Sequence, residues 1–152
     1  MQKTPIKASK STARLSFQEL YVGQTAKFSI KITRELIENF CQMTGDFHPL
    51  HADQEYAKRA GFGNVIAHGL LISSLSSQLI GMQLPGEAAI IGSQSFDYIL
   101  PVPADMRLIF IGRVSAKDER FSKIDVAISV RNDAGKKVAK GKYIVFFRQN
   151  DI

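Results

Sequence analysis

The chain has 152 residues and a formal net charge of +6, a length that fits one domain able to bury its own core. Its single cysteine, Cys41, excludes an internal disulfide and fits a reducing, cytoplasmic setting. The 20 Lys and Arg run from Lys3 to Arg148 among 14 acids with no aromatic-basic motif, so nucleic acid is not the expected partner.

The opening stretch MQKTPIKASKSTARL lacks the apolar run of a secretory signal. It reads as a flexible basic tail over residues 1–15, followed by a single domain over residues 16–152. Ser16-Phe-Gln-Glu19 fits a short capping box ahead of the Val22-Gly23 turn. From Gln24 to Ile32 the residues Ala26, Phe28, Ile30 and Ile32 alternate with Lys27, Ser29 and Lys31, the mark of a half-buried strand. Thr33 is then placed to cap a helix with Glu35 in its first turn, and the i, i+4 pairs Leu36/Phe40 and Ile37/Cys41 carry that helix to about Met43, with a stop near Gly45. Asp53 is read as the N-cap of a short helix through Tyr56 and Ala57 that closes at Gly61.

The run from Ala67 to Leu84 organises the rest. No Asp, Glu, Lys or Arg occurs between Arg59 and Glu87, and Leu71, Leu75 and Leu79 repeat at i, i+4, i+8 beside Leu70, Ser74 and Ser77. A helix without a charged face is normally buried on most sides, whereas its serines, glutamines and glycines make it a poor membrane span. One central helix inside a curved sheet is the expectation, with no membrane contact. Pro85-Gly86 marks a turn. After it the period changes to two, with strands over 88–100, 106–115, 124–130 and 138–147, the last two joined by the hairpin Asn132-Asp-Ala-Gly135. Tight turns between long strands favour antiparallel pairing. The class is α+β, with an antiparallel sheet wrapped around one long central helix.

The residues able to do chemistry lie just before that helix: Asp46, His48, His51, Asp53 and His68, including all three histidines of the chain. Taken singly, Asp46 is a loop or cap residue, His51 a structural loop histidine, His68 a group orienting the helix start and Ser77 a small packing residue. His48-x-x-His51 with Asp46 and His68 also invites a metal reading, but the spacing fits no common zinc pattern. No metal or cofactor is expected. The positive surplus suits an anionic, phosphate-bearing small molecule.

Together, Thr44-Gly45-Asp46, Pro49, His51, Asp53, Phe62 and Ile66-Ala67-His68-Gly69, with the later Leu84-Pro85-Gly86, Gln94-Ser95 and Leu100-Pro101-Val102, resemble the MaoC-like, (R)-specific enoyl-CoA hydratases, a family with the hot-dog fold. The resemblance covers the chain from about Phe17 to Phe147. His48 departs from the family's usual Asn, and Ala104-Asp105 from Gly-Asp. The resemblance implies reversible addition of water to a trans-2-enoyl thioester of CoA or acyl carrier protein, giving the (3R)-3-hydroxyacyl product. It implies that Asp46 and His51 hold the reacting water, that the Gly69 amide forms the oxyanion hole, and that Ser77 supports Asp46, with His68 in a supporting place. It implies a homodimer or dimer of dimers. Two alternatives stay open: a hot-dog acyl-CoA thioesterase, and a non-catalytic acyl-binding partner subunit, which would be expected to lack the Asp/His pair.

Overall fold

The computed structural model describes residues 11–147. The expected tail over residues 1–10, and residues 148–152 of the expected domain, lie outside them. Residues 11–15, also assigned to the tail, are tied down: the Ala13 and Leu15 N–H groups donate to Met82 O and Pro85 O, and Arg14 pairs with Glu87. Order therefore begins ahead of Ser16. The Ser16–Glu19 box forms as a turn, with the Glu19 carboxylate accepting from both Ser16 N–H and Oγ.

Strand β1 (Thr25–Lys31) leads into α1 (Arg34–Thr44). Thr33 Oγ accepts from Leu36 N–H at 3.2 Å, which satisfies one of the unpaired donors of the first turn. At the other end Gly45 takes the left-handed conformation (φ 75°) and returns its N–H to Cys41 O, a backbone shape that glycine adopts without penalty. Ile37, Phe40 and Cys41 form the buried face. Two short helices follow, α2 (Pro49–Ala52) and α3 (Gln54–Arg59). Asp53 caps α3 as expected, accepting from Glu55 and Tyr56 N–H. Helix α2 was not anticipated, because four residues cannot display a period.

Helix α4 (Gly69–Met82) is the central one, and β2 (Ala89–Tyr98), β3 (Arg107–Asp118), β4 (Lys123–Asn132) and β5 (Lys137–Phe147) complete the chain. All five strands join one antiparallel sheet in the order β1-β3-β4-β5-β2. Helix α4 touches both edge strands, β1 and β2, as well as β3, and Ser76 on it bonds Tyr143 of β5. A single helix reaches both edges of a sheet only if the sheet curls around it. This is the hot-dog arrangement expected from the sequence.

The inner faces of β3, β4 and β5 supply Leu108, Phe110, Val126, Val130 and Val145 to a core that includes Leu79 and Ile80 of α4, all wholly buried. Each such side chain contributes about 1.5–3 kcal/mol relative to exposure. The helix is less enclosed than its lack of charge suggested. Leu71, Ile72, Ser73, Ser76, Leu79 and Ile80 are buried, but Leu70, Ser74 and Ser77 form an exposed, uncharged stripe. Strand β2 is exposed along almost its whole length and pairs on one side only, with β5. Among the described residues, no helix is long and apolar enough to cross a membrane.

Candidate active site

The N-terminus of α4 is where the polar side chains gather. Gly45 turns the chain out of α1 so that Asp46 begins a loop toward the start of α4. That loop is held by His68, 3% exposed, whose Nε2–H donates to the Asp46 carbonyl at 3.0 Å. The Asp46 carboxylate lies farther from the same nitrogen, at 3.9 Å, and is itself exposed. So His68 grips the main chain of Asp46 and leaves its carboxylate available. His68 was expected to orient the helix start; it is the N-cap residue of α4 but makes no side-chain cap bond, and what it orients is the Asp46 loop. Phe40 packs on one side of its ring and His51 stacks on it with centroids 3.7 Å apart.

His51 is carried by α2, which explains the value of that short helix. Pro49 at its first position and His48 at its N-cap start it, a position where proline is well suited. His48 Nδ1 accepts from Leu50 N–H at 3.3 Å. The departure from the usual Asn is thereby accounted for: an imidazole nitrogen supplies the capping acceptor that an amide oxygen would supply. His51 Nδ1 donates to the Ile66 carbonyl at 2.7 Å. In the neutral ring this leaves Nε2 with its lone pair and no proton. Burial pushes the His51 pKa below its ordinary value, against the Ile66 bond, which favours the charged ring. The imidazole is thus biased toward the form that accepts a proton.

Asp46, His51 and His68 each offer an atom, all within 4.8 Å of one another. That span suits one water bridging two of them, since each hydrogen bond covers about 2.8 Å. It also matches the span of a cation site, although two of the imidazole nitrogens already bond main-chain carbonyls. Beside them opens a cavity of about 320 Å³. His51, Gly69 and Tyr98 line it together with the apolar Ile72, Leu100, Val102 and Val138. Gly69 opens α4, where backbone N–H groups lack helical partners and the dipole is positive. Cys41 Sγ lies 3.7 Å from His68 Nε2, and burial, aided by the Asp46 charge, raises its thiol pKa. It is an inert neighbour.

Ser77 does not join this group. It is exposed and sits eight residues beyond Gly69, about 12 Å along the helix at 1.5 Å per residue. Two tyrosines that the sequence did not single out are close to α4 instead. Tyr98, at the end of β2, lays its ring against Gly69, where an added Cβ would sit 2.7 Å from Cε2, and its hydroxyl donates to Ser73 Oγ at 3.1 Å. Tyr143 donates to Ser76 Oγ at 2.7 Å, and Ser76 Oγ in turn donates to Ser73 O. Only the faint signal of aromatic residues in strands facing a serine-rich helix pointed to either.

The family described as MaoC like domain matches residues 17–136. An (R)-specific enoyl-CoA hydratase from Aeromonas caviae is 41% identical over 88 residues, 58% of this chain and 66% of the relative. A 3-hydroxybutyryl-CoA dehydratase from Methylorubrum extorquens is 38% identical over 88 residues, 58% of this chain and 56% of the relative. The matched stretch thus spans somewhat less than two thirds of these curated relatives. Among solved structures, the unliganded R-hydratase PhaJ1 from Pseudomonas aeruginosa superposes with a TM-score of 0.85 at 31% identity, covering 90% of this chain and 87% of that one.

Proposed function

The chain belongs to the MaoC-like dehydratase family, and from that premise we propose that it hydrates trans-2-enoyl-CoA thioesters reversibly to (3R)-3-hydroxyacyl-CoA. The observation that carries this reading is the convergence of Asp46 and His51 within 4.8 Å at the start of α4, next to an apolar cavity that His51 and Gly69 line. A carboxylate and an unprotonated imidazole can hold one water between them. His51 Nε2 takes a proton from that water as its oxygen bonds to C3, and the Asp46 carboxylate orients the water and stabilises the imidazolium. The same proton returns to C2 through the pair, so the water is added without loss or gain. Charge on the thioester oxygen meets the amide at Gly69. Acid–base help of this kind is typically worth about 10²–10⁴-fold, and one donor to an oxyanion roughly 10²–10³-fold.

The working form we propose is a homodimer, alone or paired into a dimer of dimers. Strand β2 has an open edge flanked by exposed Ile90, Ile91 and Ile99, and such an edge is normally covered. A cytoplasmic setting is supported by Cys41, buried and free. The test is incubation with crotonyl-CoA. Loss of the conjugated enoyl absorbance without release of thiol, with a (3R) product in a stereospecific coupled assay, is the expected result. Release of free CoA would make the protein a thioesterase, and binding of crotonyl-CoA without reaction would make it an acyl-binding subunit.

A further inference from the structure

We infer that Tyr98 sets the acyl-length limit of the site by filling the groove along the first turn of α4. This inference rests on the acyl-thioester reading above. The ring covers Gly69 so closely that a methyl group there would overlap Cε2 and Cζ, at 2.7 and 2.8 Å. The hydroxyl reaches Ser73, one turn further on, and Ser73 Oγ in turn donates to Leu70 O at 3.1 Å. The side chain therefore lies lengthwise along about 5.4 Å of helix, pinned at its far end to a serine only 3% exposed.

A thioester oxygen docked at the Gly69 amide leaves its acyl chain two ways to go. One is along the helix face, and Tyr98 occupies it. The other is sideways into the cavity toward Val102 and Val138, where Tyr98 is again part of the wall. With the first route blocked, a chain that outgrows this cavity of about 320 Å³ has no path along the helix. Tyr98 itself is half exposed, at 49%, so burial of the ring alone does not hold it in place. The bond to Ser73 does. Glycine at 69 consequently has two uses: it frees the amide, and it admits the ring.

The experiment compares kcat/KM for four-carbon and eight-carbon trans-2-enoyl-CoA in the parent, Tyr98→Ala and Tyr98→Phe. Each methylene newly buried is worth about 4-fold, so Tyr98→Ala should raise the eight- to four-carbon ratio by at least about 10-fold and at most about 200-fold. Tyr98→Phe, which keeps the ring but loses the tether, should raise it by a smaller factor, about 2–5-fold, on the same scale of buried methylenes. Calorimetric affinities for butyryl-CoA and octanoyl-CoA read the same preference without turnover. If the parent hydrates nothing but these affinities shift as stated, the length limit stands and the hydratase reading fails. A parent that already favours eight carbons overturns the inference. So does an unchanged ratio in the variants that fold by circular dichroism, with Tyr98→Phe carrying the test if Tyr98→Ala does not fold.

Discussion

Two groups of polar side chains meet helix α4, and they differ in how much hydrogen-bonding capacity they leave open. Around Ser73 and Ser76, the hydroxyls of both serines, Tyr98 and Tyr143 bond to one another or to helix carbonyls. Burial raises the Tyr143 pKa and keeps its proton in place. At the helix start the His51 ring has one nitrogen committed and one open, and the Asp46 carboxylate faces solvent with a single local bond to His48 N–H. A saturated cluster fixes geometry. An unsaturated one can hold and pass a proton. The distinction is chemical, since both clusters lie on the same helix.

The largest test of that contrast removes the open capacity. Asp46→Asn and His51→Gln should each lower hydration by about 10²–10⁴-fold while circular dichroism and dimerisation persist. The double variant should lose little beyond the worse single one, because the two groups share one step. Losses that multiply would mean that no water is shared. In the parent, lowering the pH protonates His51 and removes the base. Since its pKa is shifted downward from 6.5, the acid limb of kcat/KM should fall below pH 6.5 and leave a plateau at neutrality.

The next effect is smaller and of a different kind. Tyr143→Phe deletes one member of the saturated cluster, leaving Ser76 with only its bond to Ser73 O. Stability should drop by about 1–3 kcal/mol, read by urea unfolding, with turnover per folded molecule retained. A loss of turnover without a loss of stability would place Tyr143 in the chemistry and erase the contrast. Smallest of all is His48→Asn, which exchanges one capping acceptor for another. Its stability should change by no more than about 0.5 kcal/mol, and activity should hold. Collapse of activity there, or abolition of parent activity by chelators, would revive the metal reading.

The elements with strong local signals were legible beforehand. Thr33 and Gly45 bracket α1, Asp53 caps α3, and the alternation of Ile124, Val126, Ile128 and Val130 matches the buried face of β4. Asp46 and His51 were legible only as members of a longer pattern of residues, since either alone has a duller use. The inside of α4 was not. Its serines come in adjacent pairs, Ser73-Ser74 and Ser76-Ser77, and no charged residue marks the solvent side. The phase of the helix could not be read: Ser73 and Ser76 are buried, whereas Ser77, matched to the family's serine by its spacing from His68, is exposed. Tyr98 was hidden for a related reason. Strand β2 ends up on the far edge beside β5 rather than next to β3, and long-range pairing of that kind leaves no local trace.

The absence of Asp, Glu, Lys and Arg between Arg59 and Glu87 has an electrostatic meaning as well. Helix α4 has no acid in its first turn and no base in its last, so no ionised side chain of its own either offsets or reinforces the aligned peptide dipoles. The potential at the Gly69 amide therefore comes from the peptide dipoles and from the neighbouring Asp46 carboxylate, not from side chains of the helix itself. Mobile ions weaken attraction between exposed charges over about 8–10 Å, but they penetrate little into a packed helix end. The dipole's share of the field on an oxygen docked at Gly69 changes little with ionic strength, whatever salt does to the exposed Asp46 carboxylate or to the capture of a charged ligand at the surface.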